Sequence, residues 1–406
     1  MIKPAHHLPG VSPNTKDRAM GVADEGTDER DLPVMSLIAA IAAISVVGLG
    51  FGHSTPLFSV LLDRYGASDF VVGSNTAFGA ISALLGAPFY PRIIAKVGLR
   101  LFLVICLGIM VIPYLAVFWA GDRLWMWYPL RFIFSVGGAG VFAASEIWIN
   151  GLAPDRMRGK ILGIYTTFLA LGFACGPLIL TVTGYDGFLP FIVGAAVFSC
   201  AAIPLLFVRA PHVANEEHGD IFAPMRRFPV LFTSAAMFAA VESAMLIFLP
   251  ILALELNYGV NVGARALTIY GLGLLSAQLP VGWLTDKVSP RRVMTGCALL
   301  GAGFALLVPL TQGQIWLLYA VLFIWGGAVG ALYTVGLIVV GNTFKGSALA
   351  SANTAFVFTY AAGAVLGPFI AGTARYGFGA NGLMVVIALA LGAYAWAARR
   401  SLGEAE

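Results

Sequence analysis

Long apolar runs separated by short, charged connections fix what this chain can become. Residues 264–284 and 293–310 are two such runs, joined by the charge-dense string GWLTDKVSPRR at 282–292. Each is about 20 residues, the length that crosses a hydrocarbon core of about 30 Å as an α-helix. Inside a bilayer no water satisfies a bare backbone N–H or C=O, so such a run satisfies its own backbone as a helix. Hydrophobic residues make up 59% of the sequence and charged residues 11%, where a soluble domain carries about 25% charged. No soluble core uses that much apolar surface, so the lipid bilayer is the solvent and the first partner.

The four cysteines, Cys106, Cys175, Cys200 and Cys297, fall inside apolar runs without metal-ligand spacing. They read as inert packing residues, and no metal or other cofactor is expected. The net charge of +4 comes from loop arginines and lysines and implies no nucleic acid.

Twelve spans are expected, at 35–61, 70–91, 99–120, 125–150, 160–183, 187–208, 229–254, 264–285, 291–310, 314–341, 347–372 and 379–398. Residues 1–34 are polar and read as a disordered cytoplasmic tail. The first apolar run is too long for the core of a cleavable signal peptide. A polar break divides the spans into an N-terminal six-helix bundle at 35–208 and a C-terminal one at 229–400. Residues 209–228 form a cytoplasmic linker between them.

Lys and Arg set the orientation. With the N-terminus inside, the interior inner loops carry thirteen: Arg92, Lys96, Arg100, Arg156, Arg158, Lys160, Arg209, Arg226, Arg227, Lys287, Arg291, Arg292 and Lys345. The outer loops carry four: Arg64, Arg123, Arg265 and Arg375. Both termini are therefore expected in the cytoplasm.

The halves echo each other. Gly172-x-x-x-Gly176-Pro177 in the fifth span recurs as Gly363-x-x-x-Gly367-Pro368 in the eleventh, an offset of 191 residues (363 − 172). The stretch GAPFYPRIIAKVGLR from Gly86 corresponds to the 282–292 string, with Tyr90 where the second loop has Asp286. The expectation is an all-α membrane protein of twelve transmembrane helices, built as two parallel six-helix repeats.

The 282–292 string resembles the signature loop of the major facilitator superfamily, G-x-L-x-D-[RK]-x-[GS]-x-R-[RK], found between helices 2 and 3 and again between 8 and 9. Gly282, Leu284, Asp286, Lys287, Arg291 and Arg292 match, and Pro290 replaces the usual basic residue. Residues 131–180 are similar to helices 4 and 5 of the YcaD-like branch, through Arg131, Glu146, the loop 156–160, and Gly172, Gly176 and Pro177. The Gly-x-x-x-Gly-Pro motif also resembles one common in proton-driven exporters, although Leu180 replaces its last glycine. The resemblance implies two bundles that rock around a central cavity and move a small solute; it names no substrate. Gly282 is expected to let two helices approach closely. Asp286 is expected to act in gating with Lys287, Arg291 and Arg292, opposite a first loop that keeps Arg92 and Arg100.

Three charged side chains lie well within spans: Arg131, Glu146 and Glu242. Each costs at least about 2.5–3.5 kcal/mol near a bilayer centre, so each faces the interior or a partner. In the facilitator plan helices 1, 4, 7 and 10 line the cavity, and these residues fall on 4, 4 and 7. Glu242 is midway along its span, suited to couple protons, bind solute or bridge helices. Glu146 is nearer the cytoplasmic end and is a gating, proton-coupling or capping residue. Asn150, one turn on, shares its face. Arg131 follows an aromatic belt, Trp125, Trp127 and Tyr128. It either snorkels outward or turns inward to hold an anionic group or tune a carboxylate. His53, Asn75 and Gln278 read as solute-binding or as packing and helix-bridging residues. Trp148, Trp325 and Tyr333 read as lining for an aromatic or amphipathic solute, or as packing.

No nucleotide-binding loop, GxSxG or HExxH string occurs, so neither an enzyme nor an ATP-driven engine is expected. The sequence reads as a monomeric secondary active transporter of the inner (plasma) membrane. It is expected to couple to protons and to move a small organic solute by alternating access. An uncoupled facilitator, or a sensor or assembly factor on the same scaffold, is left open by the residues.

Overall fold

The computed structural model describes residues 34–86, 89–152, 158–204, 222–344 and 346–401. The tail expected to be disordered, 1–34, lies outside them apart from Val34, as do Arg156, Arg209 and Lys345. The first half comprises α1 (Val34–Arg64), α2 (Asp69–Gly86), α3 (Tyr90–Val97), α4 (Leu99–Ala120), α5 (Leu124–Leu152), α6 (Arg158–Cys175), α7 (Leu178–Thr183) and α8 (Leu189–Cys200). The second comprises α9 (Phe222–Arg227), α10 (Pro229–Glu255), α11 (Val260–Thr285), α12 (Pro290–Leu307), α13 (Ile315–Thr343) and α14 (Gly346–Ser401).

Among the described residues, ten helical segments are long and apolar enough to cross a membrane. The expected second and sixth spans are α2 and α8. The first has 18 residues and carries Asp69, Asn75 and three glycines. The second is a 12-residue apolar helix, short for a hydrocarbon core of about 30 Å.

One span needs correction. The second span stops at Gly86 rather than 91, and Tyr90 opens the separate helix α3, with Pro91 in its first turn. The expected fifth span is one apolar stretch, Ile161–Thr183, with a turn between Cys175 and Leu178, where Pro177 has no N–H to donate. The expected eleventh and twelfth spans are the two arms of α14, Ser351–Gly379 and Asn381–Arg400, separated at Gly379, whose φ of 68° ends the first arm. Part of the linker is helical, as α9.

Lipid gives helices no hydrophobic reason to associate, so close backbone approach holds them together. A Cβ on Gly172 would collide with the Ser45 carbonyl, and one on Gly176 with the Leu49 carbonyl, so α1 and α6 cross backbone to backbone. In the second half Gly363 meets Ala236 and Gly367 meets Ala240 in the same way, joining α10 and α14. Ser45 and Ala236 are again 191 apart (236 − 45), as are Leu49 and Ala240. Gly79 against Ser135, between α2 and α5, corresponds at the same offset to Tyr270 against Gly326, between α11 and α13. The repeat thus keeps one register through four helix pairs. That register sets Ala95, not Tyr90, opposite Asp286, and it matches Lys96 with Lys287 and Arg100 with Arg291. The sequence alignment slipped because α2 ends early and α3 fills the gap.

The helices belong to one compact unit, Met35–Glu406. The halves meet near the end of the bundle where α1 finishes, at Arg64. There Gly73 of α2 packs on Pro368 and Gly372 of α14, and Phe70 stacks edge-on to Phe369 at 5.5 Å. Gly271 of α11 packs on Ala174 of α6. Towards the Val34 end the same four helices expose Ile81 and Leu85, Phe358 and Val357, Ile164 and Phe168, Leu279 and Trp283. The pair of halves is closed at the Arg64 end and splayed at the Val34 end. Gly282 lies at the splayed end, and a Cβ there would meet nothing within 4 Å. The close approach expected of it is absent because the helices have parted.

Gly363→Ala should therefore destabilise by about 1–3 kcal/mol, the cost of overpacking a tight contact. Gly392→Ala, with open space around it, should be near neutral. Thermal unfolding in detergent distinguishes them; equal losses would contradict the crossing described.

Candidate functional site

Glu242 projects from α10 into the space between the halves, partly exposed. The Tyr360 hydroxyl of α14 donates to its Oε2 at 2.8 Å. Phe238, Tyr333 and Tyr360 form an aromatic wall around it, with ring centroids 5.2 to 6.0 Å apart. Tyr333, on α13, lies within electrostatic range of both Glu242 and Glu146. Glu146 is on α5 of the other half and is exposed, so Tyr333 has one acid of each half within that range. Beside Glu146, Ser145 and the Tyr165 hydroxyl of α6 share a hydrogen bond of 2.8 Å. The facing wall is apolar: Phe51, Phe142 and Phe173, from α1, α5 and α6, stack within 5.6 to 6.3 Å of one another.

The repeat register relates the two walls. Phe51 is the counterpart of Glu242 and Phe142 that of Tyr333, each 191 residues apart (242 − 51, 333 − 142). The same scaffold position holds a phenyl ring in one half and an acid in the other. This relation was present in the sequence but emerges only once the register is fixed. Tyr360 had no comparable signal, because its partner lies 118 residues away in the chain.

The remaining candidates separate from this space. Arg131 does not snorkel outward: it is 6% exposed, with its guanidinium 5.2 Å over the Phe58 ring and 5.8 Å over Phe134. Asn75 is buried on the neighbouring α2. His53 is fully buried, with Nε2 donating to the Pro190 carbonyl at 2.9 Å, beside Tyr114, which donates to the same oxygen at 3.2 Å. Trp148 and Trp325 are fully buried between helices. Trp148 is packed among Ala40, Ile44 and Leu107, and Trp325 against Tyr270 at 5.8 Å. Their size fills inter-helix space that smaller residues would leave empty. Gln278 is partly exposed on α11. The side chain of Asn150 lies outside the described residues.

At the Val34 end Asp286 caps the C-terminus of α11 and is exposed. Lys287 lies over Trp283, 3.8 Å from the ring centroid. Arg291 donates to the Arg399 carbonyl near the end of α14, where the helix dipole favours a cation. Arg92, Arg100 and Arg292 are exposed. Among the described residues none of these ties one half to the other in this conformation.

The tie between halves is Arg375, which the sequence placed in an outer loop. Its side chain is 2% exposed. Nε donates to Asp69 Oδ1 at 2.9 Å, and Nη2 and Nη1 donate to the two carboxylate oxygens of Glu255 at 2.6 and 3.3 Å. Phe248 lies beneath the guanidinium at 5.3 Å. Asp69 belongs to α2 of the first half and Glu255 to α10 of the second, so one arginine clasps both at the Arg64 end. The legible signal was a pair of acids at the ends of spans 2 and 7.

The chain matches the family model described as Major Facilitator Superfamily over residues 40–264 and 231–405. A twofold match over two helical repeats places this chain in that superfamily, whose members are membrane transporters. It is 25% identical over 359 residues to the MFS-type transporter YfkF of Bacillus subtilis, spanning 86% of this chain and 91% of the relative. It is 24% identical over 277 residues to the MFS-type transporter YcaD of Escherichia coli, spanning 65% and 69%. The crystal structure of the nucleoside transporter NupG superposes with a TM-score of 0.75 at 14% identity, covering 91% of this chain and 99% of that one. At that identity the likeness is one of fold.

A double-mutant cycle of Asp69→Asn with Arg375→Gln should give a coupling energy of about 1 kcal/mol or more in unfolding measurements. Additivity within about 0.3 kcal/mol would mean that the clasp does not join the halves.

Proposed function

We propose that this chain is a secondary active transporter that carries a small organic solute across the plasma membrane, with proton coupling at Glu242. The observation that supports it most is Glu242 itself. It is a carboxylate midway along α10, bordering the space between two halves that touch at one end and part at the other. The excess of Lys and Arg in one set of loops sets both termini in the cytoplasm. The splayed Val34 end then opens to the cytoplasm, and Arg375 holds the outer end shut.

In this reading the solute enters between the aromatic walls of Phe51, Phe142 and Phe173 on one side and Phe238, Tyr333 and Tyr360 on the other. Such surfaces suit an aromatic or amphipathic molecule. Glu242 takes up a proton in one orientation and releases it in the other. A charged carboxylate is costly inside the closed protein and a neutral one is not, which ties rocking to protonation. The Tyr360 hydroxyl steadies the ionised form by donating to Oε2. Glu146 borders the mouth on the cytoplasmic side. When the Val34 end closes, Asp286, Lys287, Arg291 and Arg292 come against the loop of Arg92 and Arg100 and form the opposite gate. The protein works as a monomer.

A thermal-shift screen of metabolites supplies a transported solute for proteoliposome assays. Glu242→Gln should then abolish accumulation driven by a pH gradient while the protein remains folded. Tyr360→Phe should slow it about tenfold, as expected for loss of one hydrogen bond to a charged group of about 1.5 kcal/mol. Flux indifferent to pH and to Glu242→Gln would identify an uncoupled facilitator. Binding without flux would identify a sensor.

A further inference from the structure

A second polar site lies inside the first half, away from Glu242. Arg131 on α5 is buried, yet its Nε and Nη1 have no hydrogen-bond partner among the described residues. The nearest flank is α2, where a Cβ on Gly79 would stand 3.0 Å from Arg131 Cγ and 3.3 Å from its Nε. Asn75 is one turn before Gly79 on the same face of α2. It is 1% exposed, and its Nδ2 is likewise unpartnered. The two helices are pinned alongside by the Ser74 and Tyr128 hydroxyls at 2.7 Å.

Helix geometry brings these groups together. A helical side chain leans towards the N-terminus of its helix, and α5 begins at the Arg64 end. Asn75 lies on the Arg64 side of Gly79, the side to which a side chain leaning from Arg131 is directed. The surrounding groups are the rings of Phe58 from α1 and Phe134 from α5, with the Ser135 hydroxyl near Gly79. Arg131 has no ion pair among the described residues; Glu146 is 15 residues further along the same helix, roughly 22 Å away.

Three buried N–H-bearing atoms on two adjoining helices thus lack an acceptor among the described residues, one of the two groups is a permanent cation, and two rings flank it. We infer that Arg131 and Asn75 form a binding site for a monoanion, either the carboxylate of a solute or a halide ion. One guanidinium balances one negative charge, and among the described residues no second cation is in contact with it to balance a dianion. The flat apolar walls suit a carboxylate attached to an aromatic or aliphatic body. The site does not depend on Glu242 as a coupling residue.

The test is a titration of purified protein in nanodiscs at constant ionic strength, replacing sodium sulfate with sodium chloride or with sodium benzoate. Thermal stability and the fluorescence of Trp127, which packs on Phe58, are read together. Wild type should respond saturably to chloride, to benzoate or to both. A response to chloride alone identifies an inorganic anion, and a response to benzoate identifies a carboxylate. Arg131→Gln should remove the response, and Asn75→Leu should weaken the apparent affinity about tenfold, the worth of one hydrogen bond to a charge. If Arg131→Gln does not fold, Asn75→Leu decides by itself. Identical responses to all three salts in wild type, or an undiminished titration in Arg131→Gln or Asn75→Leu, overturns the inference. Glu242→Gln should leave the titration unchanged, so failure here is distinguishable from failure of proton coupling.

Discussion

Backbone contact at glycine is the interaction on which the rest of this structure depends. In lipid, helices gain little by hiding apolar side chains from one another, and packing must supply the attraction. Gly172 and Gly176 bring α6 against the carbonyls of α1, and Gly363 and Gly367 bring α14 against those of α10. Because both crossings use the same register, each half is a copy of one packing solution. Chemistry then enters as a departure from the copy. At one equivalent position the first half has Phe51 within an aromatic wall, and the second has Glu242 bound by Tyr360.

The two ends of the molecule are held by different forces. At the Arg64 end the contact is dense: glycine against proline and glycine, ring against ring, and one buried arginine between two acids. Removing one member of such a group leaves charge without compensation, which is costly away from water. At the Val34 end the charges are exposed and meet solvent, carbonyls or their own half. In the transport cycle proposed above, the difference is that between a closed end and an open one. The open end also leaves Gly282 with empty space around it, although six residues of its motif match.

The fold was legible because span length and loop charge are strong signals in a membrane protein. The Gly-Pro echo gave the repeat, and Glu242 stood out as a charge at mid-span. Other features depended on partners distant in the chain. Tyr360 and Arg375 look ordinary until α14 is folded against α10 and α2. Tyr90 was matched to Asp286 because a sequence string does not show that α2 stops at Gly86 and that a new helix begins. Trp148 and Trp325 carried both readings, and only their position between helices shows them as filler. Arg131 could point either way from its place near an aromatic belt; its contacts with Phe58 and Phe134 turn it inward.

The central claim is that Arg375 holds shut one end of two rigid halves that rock against each other. Paired spin labels test it directly, after replacement of the four native cysteines. One pair, at Arg100 and Arg292, reports the Val34 end; the other, at Asp122 and Gln312, reports the Arg64 end, all four sites being exposed. In Arg375→Gln the first distance should shorten and the second should lengthen as the population shifts. Distances that stay fixed, or that both move in the same sense, would contradict the account.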